Sequence, residues 1–281
     1  MLLRIFSILI FLSFFSNICY PKICVLVSIL PQRFFVKKIA KERAEVTVIV
    51  PPGYNPATYE PGPEKIKKVE KAKVYFAIGV PFEKVWLKRF SSLNRSLIIV
   101  HTEEGIKKRK IVYRWKKKEV IDPHIWLSPP LVKIQAKKIA ETFIEIDPEG
   151  KDFYKKNLSY FIKQIEMLDR EIELILKDEK GKEFLVFHPC WGYFAERYGL
   201  KQIPIELHGK RLSAKDLATL INYCRSKDIK TIFVQPQFPT KEAELIAKQI
   251  GAKLVFLDPL SENWDKNLLE VARKIKEAIS F

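Results

Sequence analysis

Residues 147–178 read DPEGKDFYKKNLSYFIKQIEMLDREIELILKD, and this stretch decides the fold. Within it Tyr154, Leu158, Phe161, Ile165, Leu168, Ile172 and Ile175 recur at alternating steps of four and three. That spacing draws one apolar stripe down a helix whose other faces carry Lys, Glu, Asp and Gln. Asp147-Pro148-Glu149 supplies the start signals: a capping side chain, Pro in the first turn, then an acid. Gly181 lies just past the end. A helix over 148–178 at 1.5 Å per residue is roughly 45 Å long, more than a small lobe needs. A coiled-coil dimerisation helix is one reading. A stripe of only about three heptads inside an α/β chain fits packing on the chain's own lobes better. A stiff helix joining two lobes also resists wide hinge closure.

Short apolar runs alternate with amphipathic segments on both sides of this helix. Before it, strands are expected at 23–30, 45–50, 74–78 and 96–100, with helices at 32–43, 63–72 and 82–91. Pro51-Pro52-Gly53 stops the second strand. After it, strands are expected at 184–187, 202–205, 231–234 and 254–257, with helices near 191–198, 213–226 and 240–250. Apolar strands alternating with helices mean parallel sheets covered on both faces. The fold class is therefore α/β: two Rossmann-like lobes with parallel sheets joined by one long rigid helix. The expected boundaries are 1–20, 21–147, 148–178 and 179–281.

The first of these segments reads as an address. Residues 2–15 form an apolar run behind a single Arg4, ended by Ser16-Asn17. A bilayer-spanning helix needs about 20 apolar residues, so a secretory signal peptide over 1–20 is the better reading. Cys19 raises lipid attachment, but Ile18 before it is a poor fit. A retained N-terminal anchor is the alternative. In each case the body works outside the cytoplasm, in the periplasm or cell envelope.

The 281 residues include 50 Lys+Arg against 33 Asp+Glu, a formal net charge of +17. Most of the basic residues are interleaved with acids, as on solvated helix faces, so nucleic acid is not an expected partner. A long-range attraction to anionic lipid remains open. Four cysteines at uneven spacing exclude a disulfide-dense scaffold and a zinc ribbon. No Gly-x-Gly-x-x-Gly or phosphate-loop signature occurs, which argues against the usual nucleotide-binding enzymes.

The histidines number only four: His101, His124, His188 and His208. His188 directly follows the strand-like Phe184–Phe187, Asp258 follows Leu254–Leu257, and His124 lies in a loop before a helix. Ligands of open α/β sheets bind outside the carboxyl ends of the strands. Two imidazoles and a carboxylate can thus converge on one cleft, a donor set that suits zinc, with manganese or iron as options. Each residue also has a structural reading: a lone His is commonly structural, and Asp258 before Pro259 can cap a turn.

Six segments carry a resemblance. They are Val27-Ser28-Ile29-Leu30-Pro31-Gln32, Pro56-Ala57-Thr58-Tyr59-Glu60-Pro61, Asp122-Pro123-His124-Ile125-Trp126-Leu127-Ser128-Pro129, His188-Pro189-Cys190-Trp191-Gly192-Tyr193-Phe194, Phe233-Val234-Gln235-Pro236-Gln237-Phe238 and Leu257-Asp258-Pro259-Leu260. In this order, through nearly the whole mature chain, the set resembles the zinc/manganese-type periplasmic solute-binding proteins of ABC importers, the cluster that includes metal-binding lipoprotein adhesins. The resemblance implies two α/β lobes bridged by a long helix. It implies capture of a divalent metal between them and delivery to a membrane permease with its own ATPase, by a monomer. His124, His188 and Asp258 match family ligands. A His at 188, where manganese-type members often have Glu, tilts the choice toward Zn²⁺, with Mn²⁺ possible.

One departure stands out. The family's first ligand is a His in a Pro-His-x-Tyr-Glu-Pro context, and here that position is Ala57. Glu60 is the first candidate to replace it, His101 the second and His208 the third. The family's His- and acid-rich loop before the Asp-Pro-His segment is also missing, its place taken by the basic stretch Lys107 to Lys118. Asp122 and Gln235 are the candidates for fixing the imidazole tautomers. The leading function is thus capture of metal without catalysis. The alternatives are a binder of a metal chelate or other small ligand, or a zinc hydrolase using an open coordination position.

Overall fold

Strand β1 (Ile23–Val27) opens the fold and gives way after only two residues to helix α1 (Leu30–Ala40). The computed structural model describes residues 21–112, 119–205 and 213–280; the segment 1–20, with the expected signal peptide and Cys19, lies outside them. The expected strand over 23–30 is shorter than the apolar run because Pro31 sits in the first turn of α1, where its fixed φ favours a helix start. The buried Gln32 then ties the parts together. Its Oε1 accepts from the backbone of Ser28 (2.9 Å) and Ile29 (3.2 Å), and its Nε2 donates to the Phe76 carbonyl (2.8 Å).

The first lobe continues with β2 (Ala44–Val48), α2 (Pro63–Lys71), β3 (Val74–Ala77), α3 (Pro81–Leu93) and β4 (Ile98–His101). Its strands form one parallel sheet in the order β2-β1-β3-β4. Every residue of β3 is buried, as a central parallel strand covered on both faces must be. An unexpected antiparallel pair follows, β5 (Lys110–Val112) with β6 (Glu119–Ile121). Helix α4 (Pro129–Ile146) follows.

The long helix is in two parts. A single 3₁₀ turn over Pro148–Gly150 precedes α5 (Lys151–Leu176) of 26 residues, about 39 Å at 1.5 Å per residue. The break falls at Gly150, where a Cβ would collide with the Arg43 guanidinium, the Tyr154 ring and the Asp147 carboxylate. These three side chains form one hydrogen-bonded cluster. The apolar stripe is buried as its spacing implies, through Tyr154, Phe161, Ile165, Leu168 and Ile172, and its last fully buried member is Leu176 rather than Ile175.

The second lobe comprises β7 (Glu183–Val186), α6 (Gly192–Arg197), β8 (Lys201–Pro204), α7 (Ala214–Ser226), β9 (Thr231–Val234), α8 (Lys241–Ile250) and β10 (Lys253–Phe256). Its parallel sheet has the order β10-β9-β7-β8. A terminal helix absent from the sequence expectations, α9 (Trp264–Ile279), returns to pack on α5. Alternation along β7 divides the core: Phe184 and Val186 join a continuous core with the first lobe, α4, α5 and α9, whereas Leu185 and Phe187 face a separate core under α7 and α8. Two indoles bind the lobes together. Trp264 Nε1 donates to the Trp126 carbonyl (2.7 Å), and Trp126 Nε1 donates to the Pro259 carbonyl (2.7 Å).

Candidate metal site between the lobes

The segment after β6 turns sharply, and a buried carboxylate organises it. Asp122 is fully buried. Its Oδ1 accepts from the backbone N–H of His124 (3.0 Å) and lies 2.7 Å from His124 Nδ1, and its Oδ2 accepts from Arg109 (2.8 Å). Burial works to raise the Asp122 pKa, but hydrogen bonds from His124 and Arg109 outweigh it and hold the carboxyl below its ordinary range. An ionised Asp122 requires Nδ1 to be the protonated ring nitrogen. Nε2 is then left with the lone pair that coordinates a metal.

The second lobe reaches into this arrangement. The Tyr193 hydroxyl accepts from the Arg109 backbone N–H (3.0 Å) and donates to the Asp122 carbonyl (3.0 Å). Burial, with Asp122 nearby, pushes this phenol up to about 12, so it stays a donor. Gly192 leaves the space Arg109 needs, because a Cβ there would overlap the guanidinium. Arg109, Gly192 and Tyr193 carry no assignment in the sequence reading. Arg109 is indistinguishable there from the surrounding Lys107, Lys108 and Lys110.

His188 follows β7, and its backbone N–H donates to Gln235 Oε1 (3.2 Å). Its ring stacks on Phe238, with centroids 4.3 Å apart and planes 23° from parallel. Gln235 thus holds the His188 backbone rather than fixing the ring tautomer. The structure brings the two histidines together: their ring centroids lie 5.3 Å apart, with planes at 79°. Two imidazoles sharing one tetrahedral ion, at about 2.0–2.1 Å from each nitrogen, have ring centroids about 5 Å apart.

The other candidates are placed differently. Asp258 follows β10 and is half-buried; its Oδ1 accepts from Gln237 Nε2 (2.7 Å) and the Leu260 N–H (2.9 Å). Glu60 is exposed on the connection between β2 and α2. Ala57, also exposed there, donates its N–H to Asn55 Oδ1 (2.8 Å). His101 closes β4, with Nδ1 3.0 Å from Glu103 Oε1. His208 lies outside the described residues. Among the described residues no three or more His, Cys, Asp or Glu side chains are gathered into a group able to hold a metal. The paired histidines are assembled, and the carboxylates are not gathered onto them. Cys190 is buried in the core beside this turn.

A second buried carboxylate lies under the strand ends of the first lobe. Glu83, in the first turn of α3, accepts from the Ile78 N–H (2.9 Å), the Gly79 N–H (2.7 Å) and the Ser28 hydroxyl, which is itself bonded to Tyr75 Oη (2.7 Å). Burial dominates and pushes Glu83 up to about 7 despite these donors. Gly79 adopts φ +87°, a left-handed conformation that lets the strand end turn over this carboxylate.

Two α/β lobes fixed on a long helix, with paired imidazoles where the lobes meet, define a solute-binding protein of the rigid-helix class. The chain matches the family described as the periplasmic component A of the zinc-uptake complex over residues 25–280, and it belongs to that family. It is 28% identical over 264 residues to the high-affinity zinc uptake system protein ZnuA of Bacillus subtilis (strain 168), covering 88% of this chain and 82% of that one. It is also 28% identical over 269 residues to the zinc-binding protein AdcA of Streptococcus pyogenes serotype M3, covering 88% of this chain and 52% of the longer relative. A crystal structure of ZnuA superposes with a TM-score of 0.87 at 40% identity, covering 92% of this chain and 99% of that one. A ZnuA deletion mutant solved with zinc bound gives 0.86 at 40% identity, covering 92% and 98%. The chain is therefore the extracytoplasmic metal-binding component of an ABC importer and not an enzyme, which sets the hydrolase reading aside. No helix among the described residues is long and apolar enough to cross a membrane.

Proposed function

We propose that this protein captures Zn²⁺ through Nε2 of His124 and His188 and releases it to its permease. The observation that carries the reading is the 5.3 Å pairing of the two rings, with Asp122 presenting His124 in the metal-binding tautomer. Asp258 is the third ligand and exchanges its contact with Gln237 for the ion. Glu60, whose side chain is exposed on the connection between β2 and α2, closes in place of the histidine missing at position 57. Zinc is favoured over Mn²⁺ because two of the four donors are neutral imidazoles. The exported protein works as a monomer, with 1–20 removed as a signal peptide without lipid on Cys19, and with lobes 21–147 and 179–281 about the linker 148–178.

Competition titration of the metal-free protein with Zn²⁺ and Mn²⁺ tests the assignment. The expected result is one tightly bound Zn²⁺ per chain, weaker Mn²⁺, and loss of tight binding in both His124→Ala and His188→Ala. Binding indifferent to both histidines would overturn it. Binding that appears only when an organic chelator accompanies the metal would identify a chelate carrier instead.

A further inference from the structure

Strands β9 and β10 run side by side in register, with Val234 opposite Phe256, so the connections that leave them emerge together. The first connection is a tight turn. Phe238 N–H donates to the Gln235 carbonyl (3.2 Å), and Pro236 holds the second position, where its fixed φ suits a turn. This turn touches both second-lobe candidates. Gln235 grips the His188 backbone, accepting from its N–H (3.2 Å) and donating from Nε2 to its carbonyl (3.5 Å), while Phe238 lies on the His188 ring. Gln237, between them in sequence, reaches Asp258 instead and donates from Nε2 to Oδ1 (2.7 Å).

The two glutamines are anchored differently. Gln235 is fully buried, and both ends of its amide are engaged. The Gln237 Oε1 is buried and has no hydrogen-bond partner among the described residues. A buried acceptor left unpaired costs free energy, so the bond to Asp258 is the gain that holds this amide in place. Asp258, in turn, does not depend on Gln237 for its position. Its Oδ1 also accepts from the Leu260 N–H (2.9 Å), its carbonyl accepts from Asn267 Nδ2 (2.8 Å), and the Pro259 carbonyl accepts from Trp126 Nε1 (2.7 Å). The Trp126 ring itself lies 5.2 Å from the His124 ring, centroid to centroid. A group that orients a metal ligand is itself locked by other contacts, as Asp122 is by Arg109. Gln237 lacks that second anchor.

We propose that Gln237 is an internal competitor for the metal: its amide N–H occupies the metal-free Asp258 carboxylate as a stand-in for the cation, and so limits affinity and eases release. The proposal rests on the reading of Asp258 as the third ligand. A carboxylate oxygen has two lone pairs, and on Oδ1 the Leu260 N–H takes one and the Gln237 N–H the other. An ion arriving at this oxygen displaces the glutamine and leaves the turn contact to Leu260 intact. As the ion departs, the amide retakes the carboxylate. Without that replacement the half-buried Asp258 would be left as a poorly paired charge beside the empty site, and it would hold the ion back.

Competition titration with Zn²⁺, together with stopped-flow transfer of bound zinc to a chelator, tests this. Gln237→Leu and Gln237→Met remove the amide and keep comparable bulk. Each should raise zinc affinity about tenfold, the scale of one hydrogen bond to a charged group, mostly through slower release. Gln237→Lys replaces the amide by a tethered cation and should lower affinity by more than about tenfold. In an Asp258→Asn background, itself weakened, Gln237→Leu should have no further effect, because the contested ligand is gone. Unchanged or weaker zinc binding in both apolar variants, with Asp258→Asn weakened, would overturn the proposal and make Gln237 an orienting group. Asp258→Asn that binds zinc as the wild type does would overturn the ligand assignment and the proposal with it, a failure that residue 237 plays no part in.

Discussion

The two walls of the cleft hold their histidines by different physics. In the first lobe His124 is set by charge: a fully buried Asp122, itself held by Arg109 of the same lobe and by the Tyr193 hydroxyl from across the lobe boundary, leaves its ring one orientation. In the second lobe the His188 ring lies flat on Phe238 and its backbone is held by the Gln235 amide. The first wall also buries Glu83 close behind its strand ends, whereas the second places the amides of Gln235 and Gln237 at its own.

The largest effect should come from removing either imidazole. His124→Ala and His188→Ala are each expected to lower zinc affinity by more than about 100-fold, since supporting groups alone are worth about 10–100-fold. Equal losses by isothermal titration would show that both walls contribute ligands, and a one-sided loss would break the comparison. Next comes the tie between the walls. Trp264 is 2% exposed, packs edge-on to Phe35 at 5.2 Å and donates to Trp126. Trp264→Ala should cost about 3–5 kcal/mol in urea unfolding.

The two buried carboxylates predict opposite pH behaviour. Glu83 is raised from 4.5 to about 7, so the native state binds the extra proton. Its contribution is fully present below the unfolded value and is lost as pH rises through about 7, up to about 3 kcal/mol. Glu83→Gln should flatten the stability profile between about pH 5 and pH 7.5 even though the variant is less stable at the acid end. Asp122 is lowered, so its contribution is present above the ordinary carboxylate range and is lost as pH falls through its depressed value. Asp122→Asn should weaken zinc binding about 10–100-fold through the freed His124 ring, whereas Gln235→Ala, which touches only backbone at His188, should cost less than about tenfold. At the exposed loop, Glu60→Ala should lower zinc affinity about tenfold by removing a ligand, and Ala57→His should strengthen binding by supplying a third imidazole.

Much of this molecule is legible in its sequence because burial imposes periodicity. The stripe from Tyr154 to Ile172 marks α5, and eight short apolar runs mark the eight parallel strands to within a few residues. Helix α9 carries the same kind of signal in Leu268, Val271, Ala272 and Ile275, although the sequence expectations omit it. The histidine positions at 124 and 188 follow from strand-end placement. The β5–β6 hairpin is not readable, because three-residue strands in a lysine-rich stretch have no apolar pattern and are set by the burial of Asp122 next to them.

Local sequence thus determined what local physics can write: the helices, the strands, the prolines that start α1 to α4 and the candidate ligands at strand ends. The tertiary structure alone decided which residue of a basic run would pair with the buried Asp122. It also decided that Gly192 must be small and that Phe238 would carry His188. Those are contacts between residues distant in the chain. Their free energy depends on what surrounds a side chain after folding, and composition and spacing do not encode it.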